Sequence, residues 1–293
     1  MIHDMPISSK NRDRAEQGRK AELLRSLQQK GRFLILPNAW DAASAKIFEL
    51  VGFQAIATTS GGIAAAQGYP DGQVISPEEM LDVVSHISRA VSTPVTADME
   101  AGYGNSPEQV FETTREMISA GAVGMNLEDT SRDGANLLLS QAQQVERIKA
   151  VKEAASSEGV NIVLNARTDV YLHKYGNAQV VFEEALERGR AYSEAGADSV
   201  FLIGLNELFV IEKLVREVGC PVNILVTTDS PSIQDLKRVG VVRVSFGSAF
   251  MRAALTNVRQ NAQRLFDTGN FEFLNGNVIS HQEMNSLLSV GTK

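Results

Sequence analysis

Residues 95–128 read VTADMEAGYGNSPEQVFETTREMISAGAVGMNLE and hold one complete unit of the fold. A short run, Val95–Ala97, leads into an acidic, glycine-rich turn. A helical stretch follows, then a second apolar run at Gly124–Leu127. Pro107 suits the first turn of a helix, and Val110, Thr114, Met117 and Ile118 recur at the three- and four-residue spacing of one helical face. Ala120-Gly121-Ala122 closes that helix with a residue able to turn left-handed. Strand, helix and strand in this order mark a parallel βαβ unit.

The same punctuation recurs at Val51-Gly52-Phe53, Ala195-Gly196-Ala197 and Val239-Gly240-Val241, each ahead of an apolar run. Working outward, strands are expected at Phe33–Leu36, Ala55–Thr58, Val95–Ala97, Gly124–Leu127, Ile162–Asn165, Ser199–Ile203, Asn223–Val226 and Val242–Ser245. Eight such strands in about 220 residues predict an α/β fold of the (β/α)8 TIM-barrel type, against an open doubly wound sheet of five or six strands. One domain is expected, its barrel spanning about residues 30–250. An N-terminal helix over 11–29 precedes it, and a C-terminal helical extension over about 250–293, with helices at Phe250–Phe266 and Asn277–Leu288, follows.

At 293 residues and 43% hydrophobic, the chain can bury a large core. No run of about 18 apolar residues and no apolar leader core is present, so a soluble, cytoplasmic protein without a membrane partner is expected. The net charge of -7 comes from 28 basic and 35 acidic residues with no basic stripe along the chain, which argues against nucleic acid. The single cysteine, Cys220, reads as a buried structural thiol.

In a barrel of this kind chemistry sits just past the C-terminal ends of the strands. Strand three runs into Asp98-Met99-Glu100 and strand four into Glu128-Asp129. Asp98 and Glu100, two apart, would share a face of an extended segment, with Glu128 arriving from the neighbouring strand. Three acids without histidine or cysteine favour Mg2+ or Mn2+ over zinc. The competing reading makes them helix caps. Strand five ends in Asn165-Ala166-Arg167-Thr168-Asp169, where Arg167 can grip a substrate carboxylate bidentately or form an ion pair with Asp169 or another acid at the barrel mouth. Ser60-Gly61-Gly62 offers consecutive backbone N–H groups as a carboxylate nest. Of the four histidines only His173 follows a strand-end motif, and no Ser-His-Asp or Cys-His arrangement is readable.

These stretches, with Pro37–Asp41, Thr58–Gly62, Tyr69-Pro70-Asp71-Gly72, Asp98–Gly104, Leu127–Asp129 and Ala166–Asp169 in order, resemble the isocitrate lyase and phosphoenolpyruvate mutase superfamily from about residue 30 to 250. The resemblance implies Mg2+ reached by Asp98, Glu100 and Glu128, directly or through water, with Asp71 turned toward the hydrated ion. It implies a small 2-oxo or 2-hydroxy carboxylic acid held by Ser60, Gly61 and Arg167, and C–C or P–C bond cleavage or formation through an enolate. The family's strand-three motif has aspartate where Glu100 stands. Its lyases carry Lys-Lys/Arg-Cys-Gly-His after strand four, whereas this chain reads Glu128-Asp129-Thr130-Ser131-Arg132-Asp133-Gly134-Ala135-Asn136. An ordinary isocitrate or methylisocitrate lyase is therefore not expected. Asn136 matches the asparagine of the phosphonopyruvate members' Lys-Thr-Asn loop, and Arg132 could replace its lysine. Without the loop cysteine, proton transfer falls to Tyr69, to a metal-bound water, or to no group at all if the reaction is a decarboxylation. The resemblance also implies a homo-oligomer, a tetramer or a dimer, exchanging its C-terminal helices.

Overall fold

Pro37 shapes the first stave of the sheet. It has no N–H to donate to a ladder, and the stave divides around it into β1 (Leu34–Leu36) and β2 (Asn38–Ala39). The computed structural model describes residues 9–131, 137–173, 176–276 and 278–289. The remaining strands are β3 (Ile56–Thr58), β4 (Val95–Asp98), β5 (Gly124–Glu128), β6 (Val163–Thr168), β7 (Ser199–Leu202), β8 (Val222–Leu225) and β9 (Arg243–Ser245). Each pairs in parallel with its neighbour; β1 pairs with β9 and β2 with β3, so the divided stave joins the two ends of the sheet. The eight expected strands thus become nine ladder segments in eight staves of a (β/α)8 barrel.

The helices are α1 (Ser9–Leu27), α2 (Ala42–Val51), α3 (Ser60–Ala66), α4 (Pro77–Ala90), α5 (Pro107–Ser119), α6 (Gln141–Ser157), α7 (Val170–His173), α8 (Ala178–Glu194), α9 (Leu208–Glu217), α10 (Ile233–Arg238), α11 (Ala249–Thr268) and α12 (His281–Ser289). Local chemistry starts several of them. Ser76 with Glu79, Ser106 with Gln109 and Ser140 with Gln143 form reciprocal capping boxes, and Pro77 and Pro107 occupy first-turn positions. Gly121, after α5, has φ +98, and a Cβ there would meet the Cβ of Ser88 at 2.9 Å. Among the described residues no helix is long and apolar enough to cross a membrane.

The N-terminal end of the barrel is closed by α1. Its Ala21 and Leu24 are fully buried, and its Arg25 donates to Asp198 at 3.0 Å and to the carbonyls of Asn161 and Ile162. The interior above is not wholly apolar. Asn38, Asn126, Asn165, Ser199, Asn223 and Arg243 are all buried. Asn165 donates to Asn126 Oδ1 at 2.8 Å, and Ser199 donates to Asn165 at 2.6 Å. Arg243 reaches Asn126 Oδ1 at 3.3 Å and Gln28 at 3.4 Å. Burial pulls its guanidinium down to about 9, against the nearby Asp98 carboxylate. At the other end of the chain, the Phe250 ring of α11 meets Phe48 at 5.0 Å and Phe246 at 5.6 Å; Met251 is the one buried residue of that helix.

Candidate active site

The ends of β4, β5 and β6 lie side by side, and their register fixes the site. Asp98 stands opposite Asn126, and Glu128 stands opposite Arg167. Asp98 Oδ2 accepts from the Ser60 hydroxyl at 2.8 Å and from the Ser60 N–H at 3.2 Å, while its Oδ1 lies 3.4 Å from Asn126 Nδ2. Ser60 opens α3, so the expected Ser60-Gly61-Gly62 nest is the first turn of a helix. Within it the Gly62 N–H donates to Thr59 Oγ1 at 3.3 Å. A Cβ on Gly62 would lie 2.5 Å from Thr59 Cγ2 and 3.1 Å from Trp40 Cβ, so this glycine serves packing. Gly61 is different: a Cβ there would meet Asp71 Oδ2 at 2.8 Å. The missing side chain is the space in which the Asp71 carboxylate rests, next to the Ser60–Asp98 pair.

Arg167 is held from two sides. Its Nη1 meets Glu128 Oε2 at 2.6 Å, and its Nε and Nη2 grip Asp169 at 2.6 and 2.9 Å. Burial opposes its charge, but Glu128 and Asp169, with Asp98, hold the pKa above its ordinary value. Its guanidinium carbon also sits 5.9 Å from the Phe201 ring centroid. Of the five guanidinium N–H groups, two are left for a ligand by these bonds. The ion-pair reading of Arg167 is therefore realised, and it pre-orients the fork.

Glu100 departs from the expected geometry. The extended segment ends at Asp98, and Glu100 lies in the following turn with φ +50. Strand alternation no longer applies there, so its buried side chain does not share a strand face with Asp98. Tyr69 donates its hydroxyl to Glu79 at 3.0 Å, and that bond raises its pKa, so it keeps its proton. Asn136 and Arg132 lie outside the described residues.

Several supporting contacts could not be read from the sequence. Asp129, fully buried, accepts from Tyr192 at 2.8 Å, from Arg188 at 3.1 Å and from the Asp169 N–H at 3.0 Å. Burial pushes its carboxyl up, while Arg188 and the donated hydrogen bonds pull it back. Arg147, also buried, donates to the carbonyls of Ala101, Gly104 and Glu128, and so ties the turn after β4 to the end of β5. Burial lowers it to about 10 against the charges of Asp129 and Glu128. Arg188 and Tyr192 are four apart on α8, a spacing that hinted at a shared inward face; nothing in the sequence indicated Asp129 as their target.

The residues suit a hard divalent cation. All candidate donors are oxygens; Asp71 rests in the space that a Cβ on Gly61 would fill, and Asp98 is bonded to the neighbouring Ser60. Among the described residues no three acids, histidines or cysteines gather closely enough to enclose an ion. Mg2+ commonly takes only one or two carboxylates and keeps its waters, so two acids match its habit.

The phosphoenolpyruvate phosphomutase family model matches residues 24–266. The 2-methylisocitrate lyase of Escherichia coli is 31% identical over 62% of this chain and 61% of its own length. The oxaloacetate decarboxylase of Pseudomonas entomophila is 31% identical over 74% of this chain and 75% of its own. The structure of a phosphonopyruvate hydrolase complex with oxalate and Mg2+ superposes with a TM-score of 0.82 at 25% identity, covering 92% of this chain and 95% of the other. Members of this group are lyases, mutases and hydrolases of small oxo-acids. With the barrel and its strand-end residues in place, the chain belongs to the phosphoenolpyruvate phosphomutase family and is an enzyme of the isocitrate lyase/phosphoenolpyruvate mutase superfamily.

Proposed function

We propose that the chain is a Mg2+-dependent lyase, Mn2+ serving as well, that cleaves or forms a C–C bond in a small 2-oxo or 2-hydroxy carboxylic acid. The observation that carries this reading is the Arg167 fork, fixed by Glu128 and Asp169 beside the Asp98–Ser60 pair. It supports a reading in which a carboxylate grip and an oxygen donor set serve one mouth of the barrel, from the ends of β6 and β4.

Asp98 and Asp71 would hold the ion, with Glu100 and Glu128 reached through water. When bound, the cation acts as a Lewis acid on the substrate's oxo or hydroxyl oxygen. Arg167 orients the substrate carboxylate, the Gly61 N–H lines the same carboxylate, and the Ser60 hydroxyl reaches it on turning from Asp98. Tyr69 can act as a proton donor if Glu79 releases it. As the C–C bond of a 2-hydroxy acid breaks, the hydroxyl proton passes to solvent and its oxygen becomes the oxo group of one product; the bond's electron pair passes into the enolate of the other, and Arg167 faces the charge that develops.

A decarboxylation is the second reading, and one sequence observation favours it. Residues 128–136 contain neither the cysteine nor the histidine of the lyase loop. Loss of CO2 from an oxaloacetate-type acid needs only an electron sink, and solvent can protonate the enolate. A P–C bond hydrolase or mutase draws on the same residues. A barrel that only binds a 2-oxo acid is separated from all of these by pyruvate in D2O with Mg2+. Deuterium entering the methyl group supports turnover of an enolate, and an unlabelled methyl group in a bound complex supports binding alone.

We also read the C-terminal extension as covered by a second copy of the chain, within a tetramer or dimer. Leu255, Val258 and Phe266 are 54, 60 and 87% exposed on α11, an apolar surface that a lone protomer leaves in water. A monomeric mass by light scattering would contradict this.

A further inference from the structure

The opposite face of the barrel carries a cavity. It lies at the N-terminal end of the staves, has a volume of about 610 Å³, and is bordered by Lys30, Arg32, Arg216 and Lys237. A neighbouring cavity of about 330 Å³ shares Arg32 and Lys237 with it, which makes a groove longer than either alone. No acidic residue lines either cavity. Among the described residues none of the four cations takes part in a salt bridge or a side-chain hydrogen bond.

In a chain of net charge -7 such a gathering is unusual. The four residues come from three separate segments, so no basic stripe appears along the sequence. Arg216 and Lys237 stand in the last turns of α9 and α10, where positive charge complements the helix ends. Lys30 and Arg32 lie beyond the end of α1 and have no such helix to serve.

The wall between the charges is apolar. Val215 and Val239, half-buried, form its accessible part, and Val241 and Val242 are buried behind them as the chain enters β9. Gly240 keeps the wall open, since a Cβ there would lie 3.1 Å from Val215 Cγ1. Cations around an apolar recess of this size match an anionic small molecule that also has a flat hydrophobic body. Lysine and arginine grip phosphate oxygens through charge-assisted hydrogen bonds. We propose that this groove binds a phosphorylated metabolite of the nucleoside di- or triphosphate class, with phosphates on Lys30, Arg32, Arg216 and Lys237 and the base against Val215 and Val239. The site is separate from the strand C-terminal ends and does not rest on the proposed reaction.

The test uses the full chain with metal chelated, titrated calorimetrically at low ionic strength with ADP, pyrophosphate and adenosine. One ADP should bind per chain, pyrophosphate more weakly, and adenosine not measurably. Arg32→Gln/Lys237→Gln should weaken ADP by about a hundredfold, as expected for two lost charge-assisted contacts. Both side chains are exposed, so folding should persist, and a thermal melt verifies it. Arg259→Gln/Arg264→Gln removes equal charge from exposed positions on α11 and should change ADP affinity less than about twofold. Cys220, the single cysteine, lines the cavity, so ADP should slow its alkylation. Absence of ADP binding, an equal loss in the two double variants, unprotected Cys220, or abolition of binding by Asp98→Ala would each overturn the proposal.

Discussion

Glu128 and Arg167 face each other in register across the β5–β6 ladder and are joined by an ion pair of 2.6 Å. The pair is nearly closed to solvent, and Asp169 completes it from the next turn of chain. Substitution therefore has two separable effects. Arg167→Lys keeps the charge but loses the fork, and oxalate affinity in the presence of Mg2+ should fall by about tenfold or more with modest loss of stability. Arg167→Gln leaves two buried carboxylates uncompensated and should cost roughly 3–5 kcal/mol of stability. Urea unfolding of both variants checks this; equal stabilities would refute it.

Gly61 and Asp71 form the second testable relation. A methyl group at position 61 would lie 2.8 Å from Asp71 Oδ2, and Asp71, exposed, can swing away. Gly61→Ala should therefore melt within about 1 kcal/mol of the parent and yet bind Mn2+ more weakly, by electron paramagnetic resonance. In the background of Asp71→Ala the same substitution should do no further harm, giving a non-additive cycle. Full additivity would mean that Gly61 does not act through Asp71.

Much of this arrangement was legible before the structure. The strand positions followed from apolar runs bounded by glycine and proline, and all eight lie where expected to within three residues, the largest difference being the end of β6 at Thr168 instead of Asn165. Asp98, Glu128 and Arg167 could be placed at strand ends because a parallel barrel puts such residues at one mouth. Local periodicity failed at Glu100, since the extended segment stops at Asp98 and φ becomes +50 two residues later. It also said nothing of Asp129, Arg188 and Tyr192. Their contacts span 59 and 63 residues, and a pattern with a period of two or 3.6 cannot encode partners that far apart. Arg243 reads as one polar residue in an apolar run, and only the closed barrel reveals it as a buried cation near Asp98.

Stability should fall in acid through Glu49. Burial alone would raise its pKa, but Lys46, the Ser92 hydroxyl and N–H, and the Thr93 N–H together lower it from 4.5 to about 2. A carboxyl group depressed in the folded state adds stability above its unfolded value and loses it as pH falls toward the folded one. The melting temperature of the parent should thus lead that of Glu49→Gln above pH 4.5, with the gap closing on descent toward pH 2. A gap independent of pH would show that the carboxylate contributes no linkage.

The most direct test of the proposed function is turnover itself. Pyruvate, oxaloacetate, isocitrate, methylisocitrate, dimethylmalate-type acids and phosphonopyruvate would be incubated with the protein and Mg2+, and products followed by NMR beside Asp98→Ala. Cleavage or decarboxylation of one carboxylic acid, dependent on Mg2+ and lost in the variant, is the predicted result. Turnover that persists in chelator or in Asp98→Ala, or binding of these acids with no turnover of any, would contradict it.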